Sequence, residues 1–149
     1  MAVKFERHKR NRMSLTAIMT LFIVVALIVM IPKMIIGRAD SIITNKLDNT
    51  QDTTFIKLYK AADSYLQTAE KFPLSGERVT KLEKELKQKG EERLNFECQK
   101  LEMQYKTEKT DYWWQNTPQD TLKAFCEKWG EIIPQETMAK YCPFCLENN

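Results

Sequence analysis

A single histidine, His8, is all the chain contains, and it lies within the first dozen residues. A His-based catalytic triad or a His metal site is therefore excluded from the rest of the chain. Glycine is almost as scarce: there are four, at 37, 76, 90 and 130. That spacing cannot build a phosphate-cradling loop. No Asn-x-Ser/Thr sequon occurs, and no segment reads convincingly as a strand. Acidic neighbours such as Glu91 and Glu92 fall on a densely charged stretch, where solvated charge is expected rather than acid–base work. No catalytic residue, cofactor or metal is expected, and the chain reads as a non-enzyme.

A concentrated positive charge is missing from most of the chain. Of the 23 Lys and Arg, five (Lys4, Arg7, Lys9, Arg10 and Arg12) stand in residues 1–12, and Lys33 is isolated in an apolar run. From residue 38 onward 17 bases face 19 acids. Phosphate neutralisation needs clustered Lys or Arg, so no nucleic-acid partner is expected.

What the chain does have is one long apolar run. Residues 15–31 read LTAIMTLFIVVALIVMI without a charge, and the apolar character resumes at Met34, Ile35 and Ile36. As a helix, residues 15–36 would span roughly 33 Å, enough to cross a bilayer with a little tilt. Lys33 can snorkel to the headgroups, and Pro32 introduces a kink near that end. The basic residues before the run are the topology determinants. They hold the N-terminus in the cytoplasm and send the C-terminus across. Gly37-Arg38-Ala39 offers a cleavage site for a signal peptide. The apolar run exceeds the roughly 7–15 residues of a signal core, so a retained anchor is expected.

The remaining periodicity is helical, which predicts an all-α chain. Five regions follow: a basic tail (1–13), a transmembrane signal-anchor (14–36), a stalk (37–53), a helical hairpin (54–106), and a loop with short helices and a Cys-rich end (107–149). The stalk rests on Ile35, Ile36, Ala39, Ile42, Ile43 and Leu47 at helical spacing, and DNTQDTT after it reads as a turn. Phe55, Leu58, Ala62, Tyr65, Ala69 and Phe72 mark one apolar face of the next helix. Pro73 stops that helix. Val79, Leu82, Leu86, Leu94, Cys98, Leu101 and Tyr105 mark the longer helix that returns. Gly90 interrupts this stripe. It weakens the helix by about 1 kcal/mol relative to Ala, and marks either a close approach or a bend. Thr117-Pro118-Gln119-Asp120 predicts a helix start with Thr117 as cap. Gly130 ends that helix, and Pro134 opens a short final one.

Three resemblances bear on the plan. LYKAADSYLQTAEKFP resembles the second helix of a tetratricopeptide repeat through Ala61, Tyr65 and Pro73; the helix before it does not fit, and no second repeat follows. A basic stretch before an apolar helix with a proline is similar to type IV prepilins. Arg12 and Ala17, however, stand near the places where that family has its processing-site Gly and its Glu. An anchor followed by exported helices is similar in plan, without a shared motif, to bacteriophage inner-membrane spanins, which implies a lysis-type factor as one alternative.

All four cysteines, Cys98, Cys126, Cys142 and Cys145, lie beyond the apolar run. An even number in an oxidising compartment reads as disulfides. The expected pairing joins Cys98 to Cys126, both on apolar faces, and leaves Cys142 to close a short loop with Cys145; the other two pairings remain open. Cys142-Pro-Phe-Cys145 could instead be a redox pair, but no βαβ pattern precedes it. A four-Cys zinc site would need a second paired knuckle. Tyr112, Trp113 and Trp114 stand together in a polar loop. They either cap a small core or offer a protein-contact patch.

The function expected from these features is a membrane-anchored accessory or structural subunit of a larger membrane or envelope complex. Its partners would be other subunits and the lipid bilayer. A tethered thiol–disulfide exchange protein is the other alternative beside the lysis factor. The expected location is a bacterial inner membrane with the domain in the periplasm, or else a mitochondrial inner membrane facing the intermembrane space.

Overall fold

The computed structural model describes residues 15–72, 75–106 and 112–147. Among the described residues there are six α-helices: α1 (Leu15–Ser41), α2 (Asp52–Glu70), α3 (Gly76–Tyr105), α4 (Gln119–Gly130), α5 (Gln135–Tyr141) and α6 (Phe144–Glu147). Among the described residues there is no strand. The topology-determining cations Lys4, Arg7, Lys9, Arg10 and Arg12 lie outside them.

α1 is apolar enough and long enough to cross a membrane. It runs through Pro32 without a break. Its two ends live in different surroundings. Residues 15–31 are exposed except for half-buried Val29, whereas Pro32, Ile36 and Ala39 are buried. Past Ser41 the helix widens into a π-helical segment, Ile42–Lys46, and then tightens into a 3-10 turn, Leu47–Asn49. In the π-helical stretch the neighbours Ile42 and Ile43 are both buried. Thr50 turns extended, with ψ of 151°, and its hydroxyl donates to the Leu47 carbonyl at 3.1 Å.

The segment 37–53 is therefore not a free stalk. Its apolar stripe packs into one core with Phe55, Ala62, Leu66 and Ala69 of α2. A stripe this regular cannot stay in water at about 1.5–3 kcal/mol per large apolar side chain, and α2 folds back along it. The expected hairpin of α2 and α3 is present. It is the outer part of a three-helix layer whose third member is the end of α1.

α2 ends at Glu70, two residues before Phe72, the last residue of the expected stripe; Pro73, the expected stop, lies outside the described residues. The Ser75 hydroxyl, itself buried, lies 2.5 Å from the Ala69 carbonyl and 2.7 Å from that of Phe72. It satisfies carbonyls that the helix end leaves without partners. α3 returns over 30 residues, about 45 Å, well past the start of α2. The projecting half would leave Leu94 and Cys98 bare, and helices α4 to α6 cover it. Two ion pairs tie α3 to the first segment: Arg78 to Asp40 at 2.7 Å and Lys89 to Asp48 at 2.6 Å. Both involve an exposed partner and contribute little beyond orientation.

α4 begins one position later than its cap was expected. Pro118 is the cap residue, and the Thr117 hydroxyl instead donates to the Trp113 carbonyl at 3.4 Å. Thr117 is spent on closing the 3-10 turn Trp113–Asn116, which buries its side chain.

Candidate functional site

The chemistry-bearing residues gather at the end of the domain farthest from α1's exposed run. Cys98 on α3 is bonded to Cys142 at the end of α5, with Cα atoms 6.0 Å apart. Cys126 on α4 is bonded to Cys145 on α6, with Cα atoms 5.5 Å apart. Both spacings are ordinary for disulfides. The expected pairing of Cys98 with Cys126 and of Cys142 with Cys145 is thus replaced by a crossed one. The reason is geometric. Cys142 and Cys145 flank the start of a short helix and diverge, one toward α3 and one toward α4. The C-x-x-C segment fastens two helices together.

Phe144, between these cysteines, is the centre of an aromatic cluster. Its ring lies 5.2 Å from Trp113, 6.4 Å from Trp114 and 5.8 Å from Phe125. Such contacts add about 0.5–1.5 kcal/mol each beyond area burial. Trp113 is only 6% exposed, so it is core and cannot serve as a partner contact. Trp114 is half-buried, and Tyr112, edge-on to it at 5.2 Å, is 57% exposed. Of the three aromatic candidates, Tyr112 and one side of Trp114 face solvent. Phe144 was missed as an aromatic hub by reading the sequence, although two cysteines enclosing an aromatic residue were a signal.

A buried carboxylate sits beside the first disulfide. Glu97 is 5% exposed and pairs with Arg93 at 3.0 Å and Lys100 at 3.4 Å. The Arg93 guanidinium also lies 5.9 Å from the Phe55 ring and 5.5 Å from that of Phe96. Enclosing a carboxylate this far is costly unless it is paired, and Arg93 and Lys100 supply the pairing.

The second feature is a groove of about 280 Å³ between α2, α3 and the start of α5, lined by Tyr59, Asp63, Glu83, Lys87, Glu91 and Thr137. Burial, then Asp63 and Glu91, push the Tyr59 phenol up to about 12. Partial burial, with the Glu70 carboxyl beside it and Asp63 nearby, raises Glu83 above the usual carboxylate range. The groove thus has a negative rim and a tyrosine that stays protonated. It holds no nucleophile paired with a base. Among the described residues, no three His, Cys, Asp or Glu side chains converge as metal ligands.

No protein-family model matches this sequence, and it matches no curated protein and no solved structure.

Proposed function

We propose that the chain is a membrane-anchored accessory subunit of a larger membrane or envelope complex and that it acts by protein–protein binding. The observation that carries this reading is the continuity of α1. One helix is bare and apolar over residues 15–31 and becomes core from Pro32 onward. Anchor and folded domain are joined without a hinge, so whatever the domain binds is held at a fixed height over the membrane.

The basic residues before the run favour a cytoplasmic N-terminus with the helical domain on the far side. Two disulfides in that domain favour an oxidising compartment. The periplasmic face of a bacterial inner membrane fits both, with the intermembrane space of mitochondria as the second choice. Tyr112 and Trp114, fixed over the crossed disulfides, are the contact surface we favour, since Tyr and Trp are enriched at binding hot spots. A thiol-exchange role gains no support. Cys142 and Cys145 are buried and bonded to separate helices rather than to each other.

The test is photocrosslinking in native membranes, with p-benzoylphenylalanine in place of Tyr112 or, as a control, of Phe96. A discrete adduct with one membrane protein from position 112 alone, identified by mass spectrometry, is the expected result. A monomer that crosslinks to nothing and leaves mild detergent without a companion overturns the reading. A tag after Asn149 that is reached from the cytosol of intact cells overturns the orientation.

A further inference from the structure

The antiparallel pairing of α1 and α2 fixes how deep the far end of α2 reaches. Tyr65 on α2 lines one groove with Gly37, Arg38 and Ser41, and Arg78, two residues into α3, reaches Asp40. Because α2 runs back along α1, Lys71, six residues beyond Tyr65, lies about 9 Å nearer the N-terminal end of α1. The end of α2 therefore draws level with about residues 32–34, at the edge of the apolar run.

Burial agrees with this register. Val29 is the only residue among 15–31 that is not exposed, and with Pro32 and Ile36 it forms one covered face at spacings of three and four. On the opposite face the apolar character continues uncovered to Met34, which is 59% exposed.

A bilayer needs about 20 apolar residues to cover its hydrocarbon core. The exposed run of 17 residues gives about 25 Å, which is short unless the lipid also reaches Met34. The membrane boundary then falls at residues 32–34, and the corner between α2 and α3 is at the same level. The charges there suit a phosphate layer. Lys33, Arg38 and Lys71 are exposed and form no ion pair among the described residues. Arg78 is engaged by Asp40. Glu70 and Glu77 are also exposed at this corner and offset part of the positive charge.

We infer that the α2–α3 corner, through Lys71 and Phe72, is a second membrane contact, seated among the lipid headgroups beside the helix that crosses. This rests on the reading that α1 spans a bilayer. Two points of contact instead of one set the tilt of the domain. The crossed disulfides then point away from the membrane, since α3 carries them about 30 Å or more from the corner.

The experiment uses the full disulfide-bonded chain in liposomes, with 4-fluorophenylalanine at one position at a time: Phe22 in the span, Phe72 at the corner, or Phe96 on the outer half of α3. A nitroxide near the top of the lipid chain is the probe, and ¹⁹F linewidth is the readout. Positions 22 and 72 should broaden strongly and position 96 should not. Broadening at 22 without broadening at 72 overturns the second contact and leaves the span intact. Equal broadening at 72 and 96 also overturns it, because the domain would then lie flat on the bilayer. A sharp line at 22 shows that the span itself is wrong. Replacing Lys71 by Glu should reduce the broadening at 72 and leave that at 22 unchanged.

Discussion

Gly90 lies directly beneath the ring of Tyr59. A Cβ at position 90 would stand 2.8 Å from Tyr59 Cε2 and 2.9 Å from Ile133 Cδ1. The glycine sits inside α3 without interrupting it, so it marks a close approach of α2 and of the turn between α4 and α5, and not a bend.

Gly90→Ala sets two effects against each other. The helix gains about 1 kcal/mol from the better helix former, while overpacking of a closed contact costs about 1–3 kcal/mol. The ring of Tyr59 is held by burial and cannot step aside easily, so we expect a net loss of about 1 kcal/mol in chemical denaturation. The same substitution in a Tyr59→Leu background should become neutral or stabilising. A stabilised Gly90→Ala single variant would contradict the contact.

The titration of Tyr59 gives a signature at alkaline pH. Its phenol ionises near 12 in the folded chain against 10.0 ordinarily. The folded state thus prefers the protonated phenol. Above pH 10 the unfolded chain gains by ionising and the folded chain does not. Stability should fall as pH rises from 10 to 12. Tyr59→Phe should be less stable or unchanged at pH 8, and should lose less than the parent between pH 10 and 12. Absorbance at 295 nm should show a tyrosine step near 12 in the parent that Tyr59→Phe removes.

At the other end of the groove, Glu83 is raised because burial, and then the Glu70 and Asp63 carboxyls close by, disfavour its ionised form. Its contribution is most favourable below the ordinary carboxylate pKa and is lost as pH rises through the raised value. Glu83→Gln should therefore increase stability at pH 7 by roughly 0.2–0.5 kcal/mol, the size of a like-charge pair on a helix surface. The gain should vanish by about pH 4, where the parent carboxyl is protonated. A gain that persists at low pH would point to packing as the cause.

The crossed disulfides make a chemical prediction that the expected pairing would not. Cys98 and Cys142 are 44 residues apart, and Cys126 and Cys145 are 19 apart. Loop-closure entropy assigns these about 4 and about 3 kcal/mol. Replacing Cys98 and Cys142 together by Ser should cost more than replacing Cys126 and Cys145. A lone Cys142→Ser should free Cys98, not Cys145, for alkylation in the denatured, unreduced protein. Peptide mapping would show this directly, and a labelled Cys145 would refute the pairing.

Much of the helical plan was legible because it rests on local rules. Val79, Leu82, Leu86 and Leu94 sit at helical spacing, and α3 appears where that spacing puts it. An uncharged run longer than a signal core is expected to be helical, and α1 is a helix long and apolar enough to cross a membrane. The aromatic loop was read only in part. Nothing local separates Trp113 from Trp114, because which of two adjacent rings turns inward depends on Phe144, 31 residues later.

The sequence by itself determined the main helices, since propensity, periodicity and helix stops act within a few residues of each other; the 3-10 turn Trp113–Asn116 and the last helix, α6, beyond the one expected to be final, were not read from it. Tertiary structure alone decided three things: that the apolar stripe of residues 37–53 is core and not stalk, that Gly90 is a contact, and that Cys142 and Cys145 diverge to different helices. Each depends on which faces meet across tens of residues. That is settled by burying the apolar stripes of α1, α2 and α3 against one another at once, a condition on the whole set of helices that no single stretch of sequence contains.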